Sequence, residues 1–430
     1  MERPTPRKPD AFFIPFSSTE DVHRKASPMP KLTIVIPVHN EETLLPRCFD
    51  SILSQSFQDF EVICIDDGST DGTADVLQDY VNRDRRIRGS AYSRHFGTVL
   101  SRKLALMDAK GEYVMFADAD DELLPGAFAN AIRLIEAAKV DILQFTIDIV
   151  APKDWDVEGF RRLFRYREVE SNGNNILYDC FVNHRFQHNL WNKIYRADIC
   201  RQAVETMPDI QLENYTDQYL SFFLYFFANS FRSVPDGPYY RYHIGSGVST
   251  RVPDEEQFKA LCRASEIFPK LEKFLRDRNR YESNVSVLDA IHCVMYHDMI
   301  GKLLALPEIT KDTISAAVDH WGSGIIYDFL AETGMFKYHS NTRQNMVTNL
   351  IGQNRDQAME IRRLHRELEA AQGKAGRSPA RGPQAQKTAM KVKSNHPLPE
   401  QNAGTSNAAQ DGAAASGKPQ FRFVQKLPKV

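Results

Sequence analysis

Asp118-Ala119-Asp120-Asp121 directly follows the apolar run Tyr113-Val114-Met115-Phe116-Ala117. Residues two apart in extended chain point to the same side, so the carboxylates of Asp118 and Asp120 can face one ligand. Two anionic groups at one place suit a hard cation between or beside them, Mg²⁺ or Mn²⁺ above all. Such an ion would bridge the two phosphates of a sugar-nucleotide and stabilise charge on a departing diphosphate. The competing reading is a surface turn whose acids sit near a helix start, where the helix dipole favours them. Two further polar segments follow apolar runs in the same manner: Pro37-Val38-His39-Asn40-Glu41, and Asp66-Asp67-Gly68-Ser69-Thr70-Asp71.

The elements that must position these groups are legible as periodicity. Leu32 to Ile36 is apolar on both faces, as a strand inside a parallel sheet should be. A helix from Glu41 to about Ser56, capped by Asn40, follows it, with Pro46 an irregularity in its early turns. Phe60–Ile65 is a second strand, followed by a helix to about Asn82. A short strand near Ile87 and a helix from Gly97 to Ala109 precede the strand at Tyr113. Pro125 suits the first turn of a helix ending near Lys139, and Asp141 to Val150 alternates like one more strand. Strands alternating with helices predict a doubly wound, Rossmann-like α/β sheet. Ligands of such sheets sit beyond the carboxyl ends of the strands, where all three polar segments lie.

From 151 to Asn189 the sequence is irregular. Helical patterns return at Gln218–Asn229, Glu255–Asp277, Val285–Leu306 and about Lys311 to Thr333, the last broken at Gly322 and Gly324. A polar helix is expected from about Asn345 to Ala371. Beyond Gly373 ten basic residues face two acidic ones in an Ala-, Gly-, Pro- and Ser-rich segment that reads as disordered. The expected organisation is a flexible leader over 1–30, a catalytic domain over 31–250, an α-helical extension over 251–344, the polar helix over 345–371 and a disordered basic tail over 372–430. The tail suits peripheral contact with an anionic membrane surface.

Composition narrows the function classes. Among 430 residues, 54 Lys and Arg against 56 Asp and Glu give no basic excess of the kind nucleic-acid binding needs. The 6 Cys form no C-x-x-C pair and read as reduced core thiols. The N-terminus carries no apolar stretch of signal-peptide type, and the greasiest segment, Tyr219 to Phe231, is far short of the roughly 20 residues of a membrane span. A cytoplasmic protein, at most peripheral to the membrane, is expected. G-x-G-x-x-G is absent after the first strand and no P-loop occurs, so dinucleotide and P-loop chemistry fall away.

Several separate blocks together resemble the inverting, GT-A-fold glycosyltransferases of family 2. They are Ile34-Val35-Ile36-Pro37-Val38-His39-Asn40-Glu41-Glu42, Asp66 to Asp71, Ala109-Lys110-Gly111-Glu112-Tyr113, Phe116 to Asp121 and Leu190-Trp191-Asn192-Lys193-Ile194-Tyr195, spread from Lys31 to about Thr250. The resemblance implies that Pro37, Val38, Asn40, Glu41 and Asp67 hold the nucleotide, with Asp67 accepting from a uracil N–H if the donor is a UDP-sugar. It implies that Asp118 lies near ribose and metal, that Asp120 ligates Mn²⁺ or Mg²⁺, and that Arg102 contacts the nucleotide, although Lys103 stands where the family prefers Asn. Thr216-Asp217 stands at the family's Glu-Asp, which makes Asp217 the catalytic base; Glu213 is the alternative. Lys193 is a candidate phosphate contact, Trp191 a sugar-stacking or core residue. His243, in place of a family Arg, is a candidate metal ligand or a structural His.

The expected partners are a nucleotide-diphosphate-sugar donor and a glycan or lipid-linked acceptor, with no nucleic acid. Two rival readings remain at this stage: a nucleotidyltransferase, and a non-catalytic sugar-nucleotide or glycan-binding protein.

Overall fold

The computed structural model describes residues 13–16 by their backbone, and 29–152, 157–245 and 253–332. The chain divides into two compact units, 1–335 and 336–430, and every described residue belongs to the first. Most of the leader, the polar helix of 345–371 and the basic tail with its membrane contact lie outside the described residues.

In chain order the strands are β1 (Phe13–Phe16), β2 (Leu32–Val38), β3 (Phe60–Asp66), β4 (Ile87–Tyr92), β5 (Tyr113–Phe116), β6 (Glu122–Leu123), β7 (Ile142–Gln144), β8 (Ile147–Val150), β9 (Glu170–Asn172), β10 (Lys193–Arg196), β11 (Ser230–Ser233) and β12 (Tyr240–His243). Among the described residues, nine of them form one sheet in the order β1-β4-β3-β2-β5-β10-β7-β11-β9, and β6-β12-β8 form a second. The block β4-β3-β2-β5 is parallel, as the apolar runs predict. β1 and β10 pair antiparallel to their neighbours, so the sheet is mixed.

The pleat sends alternate side chains to two cores. On β2, Leu32, Ile34, Ile36 and Val38 join Cys64, Met115 and Ile194 under the helices Leu45–Leu53, Thr73–Arg83 and Ala127–Ala138. Val35, Ile63, Ile65 and Phe116 face the opposite core, against helices Thr98–Asp108, Asn175–Phe181, Ala197–Thr206 and Thr216–Phe227. The C-terminal helices Ile267–Arg276 and Val285–Ala305 continue that same core. Phe274 sits among Phe222, Phe223, Phe226 and Phe227, with ring centroids 4.8–6.2 Å away. The extension therefore packs directly on the helix that carries Asp217. All six cysteines are free, and five of them are buried.

Several boundaries differ from the sequence reading. The first helix begins at Leu45, not Glu41, and Pro46 occupies its first turn, where its missing N–H removes no helix bond. Asn40, with φ of 55°, is not its cap. Pro125 lies outside the next helix on that face, whose N-cap is Gly126. The single strand expected over 141–150 is split: β7 stays in the large sheet and β8 pairs with β12. β9 and the helix Asn175–Phe181 occupy the stretch read as irregular.

One glycine is required on two counts. Gly68, in the turn after β3, has φ of +73°, and a Cβ there would stand 2.3–2.6 Å from the backbone of Arg94 and His95. Gly173 has φ of +54° with nothing within 4 Å of its Cβ position. Gly68→Ala should therefore cost at least about 2 kcal/mol, against about 1 kcal/mol for Gly173→Ala. Urea unfolding of the two variants compares them; equal losses would show that the close approach at Gly68 costs nothing.

Candidate functional site

The three polar strand ends lie at one edge of the sheet, and hydrogen bonds lace the first two of them together. Asn40 Oδ1 accepts from Thr70 N–H at 2.8 Å, while Asn40 N–H donates to Ser69 Oγ at 2.9 Å. Glu41 N–H donates to Thr73 Oγ1, and Glu42 Oε2 accepts from Gly72 N–H. Asp71 accepts from Glu42 N–H and Thr73 N–H. Asp66 Oδ1 closes its own turn by accepting from Ser69 N–H and Oγ. Pro37 and Val38 are buried at the end of β2, and His39 and Asn40 emerge from it. His39 Nδ1 lies 2.9 Å from Asp67 O and its Nε2 3.1 Å from Asn40 Nδ2, contacts that fit a ring protonated on Nδ1.

Asp67 departs from its expected role. Its side chain is buried, Oδ1 accepts from Phe96 N–H and Oδ2 from Gly97 N–H, each at 2.8 Å. These are backbone groups at the start of helix Thr98–Asp108, where a carboxylate satisfies otherwise unpaired N–H groups. Both oxygens already accept from backbone N–H groups, so Asp67 anchors the loop instead of offering a free acceptor to a base. His95, which the sequence reading missed, completes the anchor. Its Nδ1 lies 3.0 Å from Asp67 Oδ2 and its Nε2 3.2 Å from Glu213 Oε2. Hydrogen bonds to Asp67 and then Glu213 push its pKa up to about 10, and His95 in turn holds Glu213 low.

The centre of the site is Arg102, on helix Thr98–Asp108 and 3% exposed. Its Nη2 donates to Asp118 Oδ1 at 2.9 Å and its Nη1 to Asp217 Oδ1 at 2.6 Å, with Thr216 Oγ1 at 3.3 Å. The guanidinium is thus taken up by protein carboxylates, and the expected direct nucleotide contact is replaced by a clamp between Asp118 and Asp217. Burial pushes the Asp118 carboxyl up to about 6 against the pull of Arg102, and Asp217 and Asp120 add repulsion.

Asp217 lies in the first turn of helix Thr216–Phe227, and its Oδ2 accepts from Leu190 N–H at 3.2 Å. The residue before that turn, Tyr215, has φ of +60°, and its hydroxyl donates to Asp298 on helix Val285–Ala305. Lys193 corrects another expectation. It is fully buried, and its ammonium donates to Asn189 O at 2.6 Å and Asn192 Oδ1 at 2.9 Å. Burial lowers its pKa to about 7. No ligand phosphate meets that ammonium; it shapes the turn whose Leu190 N–H holds Asp217.

The Asp118–Asp121 loop is fixed from behind. Buried Asp121 accepts from Tyr240 Oη at 2.8 Å and from His243 N–H at 2.7 Å, and Asp118 N–H donates to Tyr240 Oη. Trp191 stacks between Tyr240 and Tyr242, both ring centroids 4.9 Å away, and is 4% exposed. Trp191 is therefore a core residue behind the loop and does not stack on a sugar. Arg47 donates to the Asp120 backbone carbonyl.

Among the described residues, no group of three or more His, Cys, Asp and Glu side chains could hold a metal ion. His243 Nε2 lies 2.7 Å from Glu122 Oε1 and is engaged there. The expected pair Asp118 and Asp120 offers two carboxylates at most, so a hard cation held there would have to complete its shell with substrate phosphates and water. Among the described residues no helix is long and apolar enough to cross a membrane.

The family profile described as Glycosyl transferase family 2 matches residues 33–194. The chain is 28% identical over 183 residues to the uncharacterized glycosyltransferase EpsJ of Bacillus subtilis, covering 41% of this chain and 50% of that one. It is 38% identical over 108 residues to a GalNAc(5)-diNAcBac-PP-undecaprenol beta-1,3-glucosyltransferase of Campylobacter jejuni, covering 24% and 34%. It is 39% identical over 94 residues to a poly(ribitol-phosphate) beta-glucosyltransferase of Bacillus spizizenii, covering 21% and 15%. This chain thus spans half the length of the first relative and less of the other two.

The raised pKa of His95 sets a pH dependence. A histidine charged more readily in the folded state adds stability that is full below its unfolded value, near 6.5, and lost as pH rises towards about 10. Melting temperature should fall across that window in the wild type, and His95→Gln should flatten the fall. Parallel melting curves for both proteins from pH 6.5 to 10 would show that His95 is not the group responsible.

Proposed function

We propose that this chain, a member of glycosyl transferase family 2, transfers a sugar from a nucleotide-diphosphate donor to a phosphate-bearing glycan or lipid-linked acceptor of the cell surface, with inversion at the anomeric carbon. The observation that carries the reading is the Arg102 clamp. It brings Asp118, at a strand end, and Asp217, at a helix start, to opposite ends of one guanidinium. Donor-side and acceptor-side carboxylates are thereby adjacent, as a single displacement requires. The names of two relatives include phosphate in the acceptor, as PP-undecaprenol in one and poly(ribitol-phosphate) in the other.

In this mechanism Asp217 accepts the proton of the acceptor hydroxyl while that oxygen bonds to the anomeric carbon. The bond from the anomeric carbon to the nucleotide diphosphate breaks on the opposite face, and the electron pair leaves with the diphosphate. Arg102 and Leu190 N–H orient the Asp217 carboxylate, and a positioned base contributes on the order of a hundredfold to ten-thousandfold in rate. Mg²⁺ or Mn²⁺ held by Asp120 and Asp118 would supply neutralising charge to the departing diphosphate. Pro37, Val38, Asn40 and Glu41 form the nucleotide-facing edge, stiffened by Ser69, Thr70 and Thr73. A UDP-sugar is the first donor to test.

Asp217→Asn keeps the shape but removes the basic charge and leaves one acceptor oxygen where the carboxylate offers two, to Arg102 and to Leu190 N–H. Donor affinity should stay close to wild type while turnover falls at least about a hundredfold. Normal turnover in this variant, with Glu213→Gln inactive, would move the base to Glu213.

Asp120→Ala should abolish metal-dependent donor binding with the fold intact. Thermal stabilisation by a panel of UDP-, GDP- and dTDP-sugars, with and without Mn²⁺, reads both the donor class and this loss. Unchanged Mn²⁺-dependent stabilisation in Asp120→Ala would remove Asp120 from the metal site.

A further inference from the structure

The turn 189–192 has a second face. Its Leu190 N–H holds Asp217, while Asn189 and Asn192 line a small open cleft together with Gln144, Arg165, Arg167 and Arg185. Three arginines thus line one concavity, and no acidic residue lines it. Arg185 is anchored by Asp179 Oδ2 at 2.9 Å and Arg167 by the His184 carbonyl at 2.8 Å. Each anchor uses one N–H of a group that carries five donors. Among the described residues the exposed Arg165 guanidinium has no hydrogen bond or ion pair.

The cleft also holds an unmet acceptor. Gln144 Oε1, at the end of β7, is buried with no hydrogen-bond partner among the described residues. An oxygen so placed costs free energy unless a donor reaches it, and a ligand hydroxyl is such a donor. Arginines present planar arrays of N–H groups that match phosphate oxygens. The two requirements, an anion bordered by arginines and a neighbouring hydroxyl for Gln144, describe a sugar or polyol phosphate. Its location fits an acceptor, because the same four-residue turn forms one wall of the cleft and orients the base.

We infer that this cleft is the acceptor's phosphate subsite, binding a phosphate ester beside a free hydroxyl and thereby presenting the next hydroxyl of the chain to Asp217. The inference rests on the glycosyl-transfer reading above and specifies its acceptor. Arg165 and Arg167 are positioning residues here, not catalytic ones.

The test uses the full-length chain and the double variant Arg165→Glu, Arg167→Gln, with Gln144→Leu as a second variant that leaves the charges in place. The probe is a glycerol-phosphate oligomer, set against free glycerol, inorganic phosphate, and phosphatidylcholine vesicles containing phosphatidylglycerol. The wild type should bind the oligomer in a salt-sensitive manner. The double variant should bind it at least about tenfold more weakly, in keeping with the loss of charge-assisted bonds. Gln144→Leu should weaken the oligomer but not inorganic phosphate.

Thermal stabilisation by the nucleotide-sugar with Mn²⁺ should be the same in all three proteins. Its absence from the wild type would overturn the glycosyl-transfer reading, whereas its presence with equal oligomer binding in wild type and double variant would overturn only the subsite. Inorganic phosphate binding as tightly as the oligomer would mean an adventitious ion only. Loss confined to the vesicles would assign the arginines to lipid headgroups and overturn the acceptor role.

Discussion

A buried guanidinium governs this site. Arg102 has almost no access to water, and a charge so enclosed is tolerable only when paired and hydrogen-bonded. Its partners are 16 and 115 residues away in sequence, so the pairing ties the end of β5 to the start of helix Thr216–Phe227. The same pairing keeps two carboxylates close despite their repulsion. Burial raises the Asp118 pKa, and the nearby Asp217 adds to the rise.

Around this clamp the protein supplies rigid backing from three directions. Tyr240 and buried Asp121 hold the acidic loop, with Trp191 stacked between the two tyrosines of β12. The enclosed Lys193 ammonium shapes the turn that presents Leu190 N–H to Asp217. Tyr215 links the residue before Thr216 to Asp298 of the C-terminal helices. Those helices share an apolar core with the large sheet, and so take part in placing Asp217. Beside the end of β3, Asp67 and His95 perform the corresponding task for the 95–97 turn.

Several residues that resemblance assigns to ligands prove to be engaged with other parts of the protein. Lys193, Trp191, Arg102 and Asp67 are all buried. Each spends its polar or aromatic surface on the protein. Asn40, Glu41, Asp118, Asp120 and Asp217 retain exposure at the edge. The division follows burial: a group with its donors and acceptors satisfied inside the protein is costly to redirect to a substrate.

The unbroken apolar runs and the helical spacings between them alone determined the parallel strands β2, β3 and β5 and the helices that join them, because such patterns are written in a few consecutive residues. They also placed Pro37–Glu41, Asp66–Asp71 and Asp118–Asp121 at one edge, since a doubly wound sheet leaves no other place for strand ends. Short strands such as β9 and β12 carried too few residues to show a period, and the break between β7 and β8 has no local signal. Nor did any local pattern reveal that His95 would reach Asp67 and Glu213, since its neighbours in space are 28 and 118 residues away. Whether Arg102 and Lys193 faced a ligand or the interior was likewise decided only by tertiary packing. The side chain's length and charge allow either, and the carboxylates and amides that enclose it are brought together only when the sheet, the 189–192 turn and the C-terminal helices close around them.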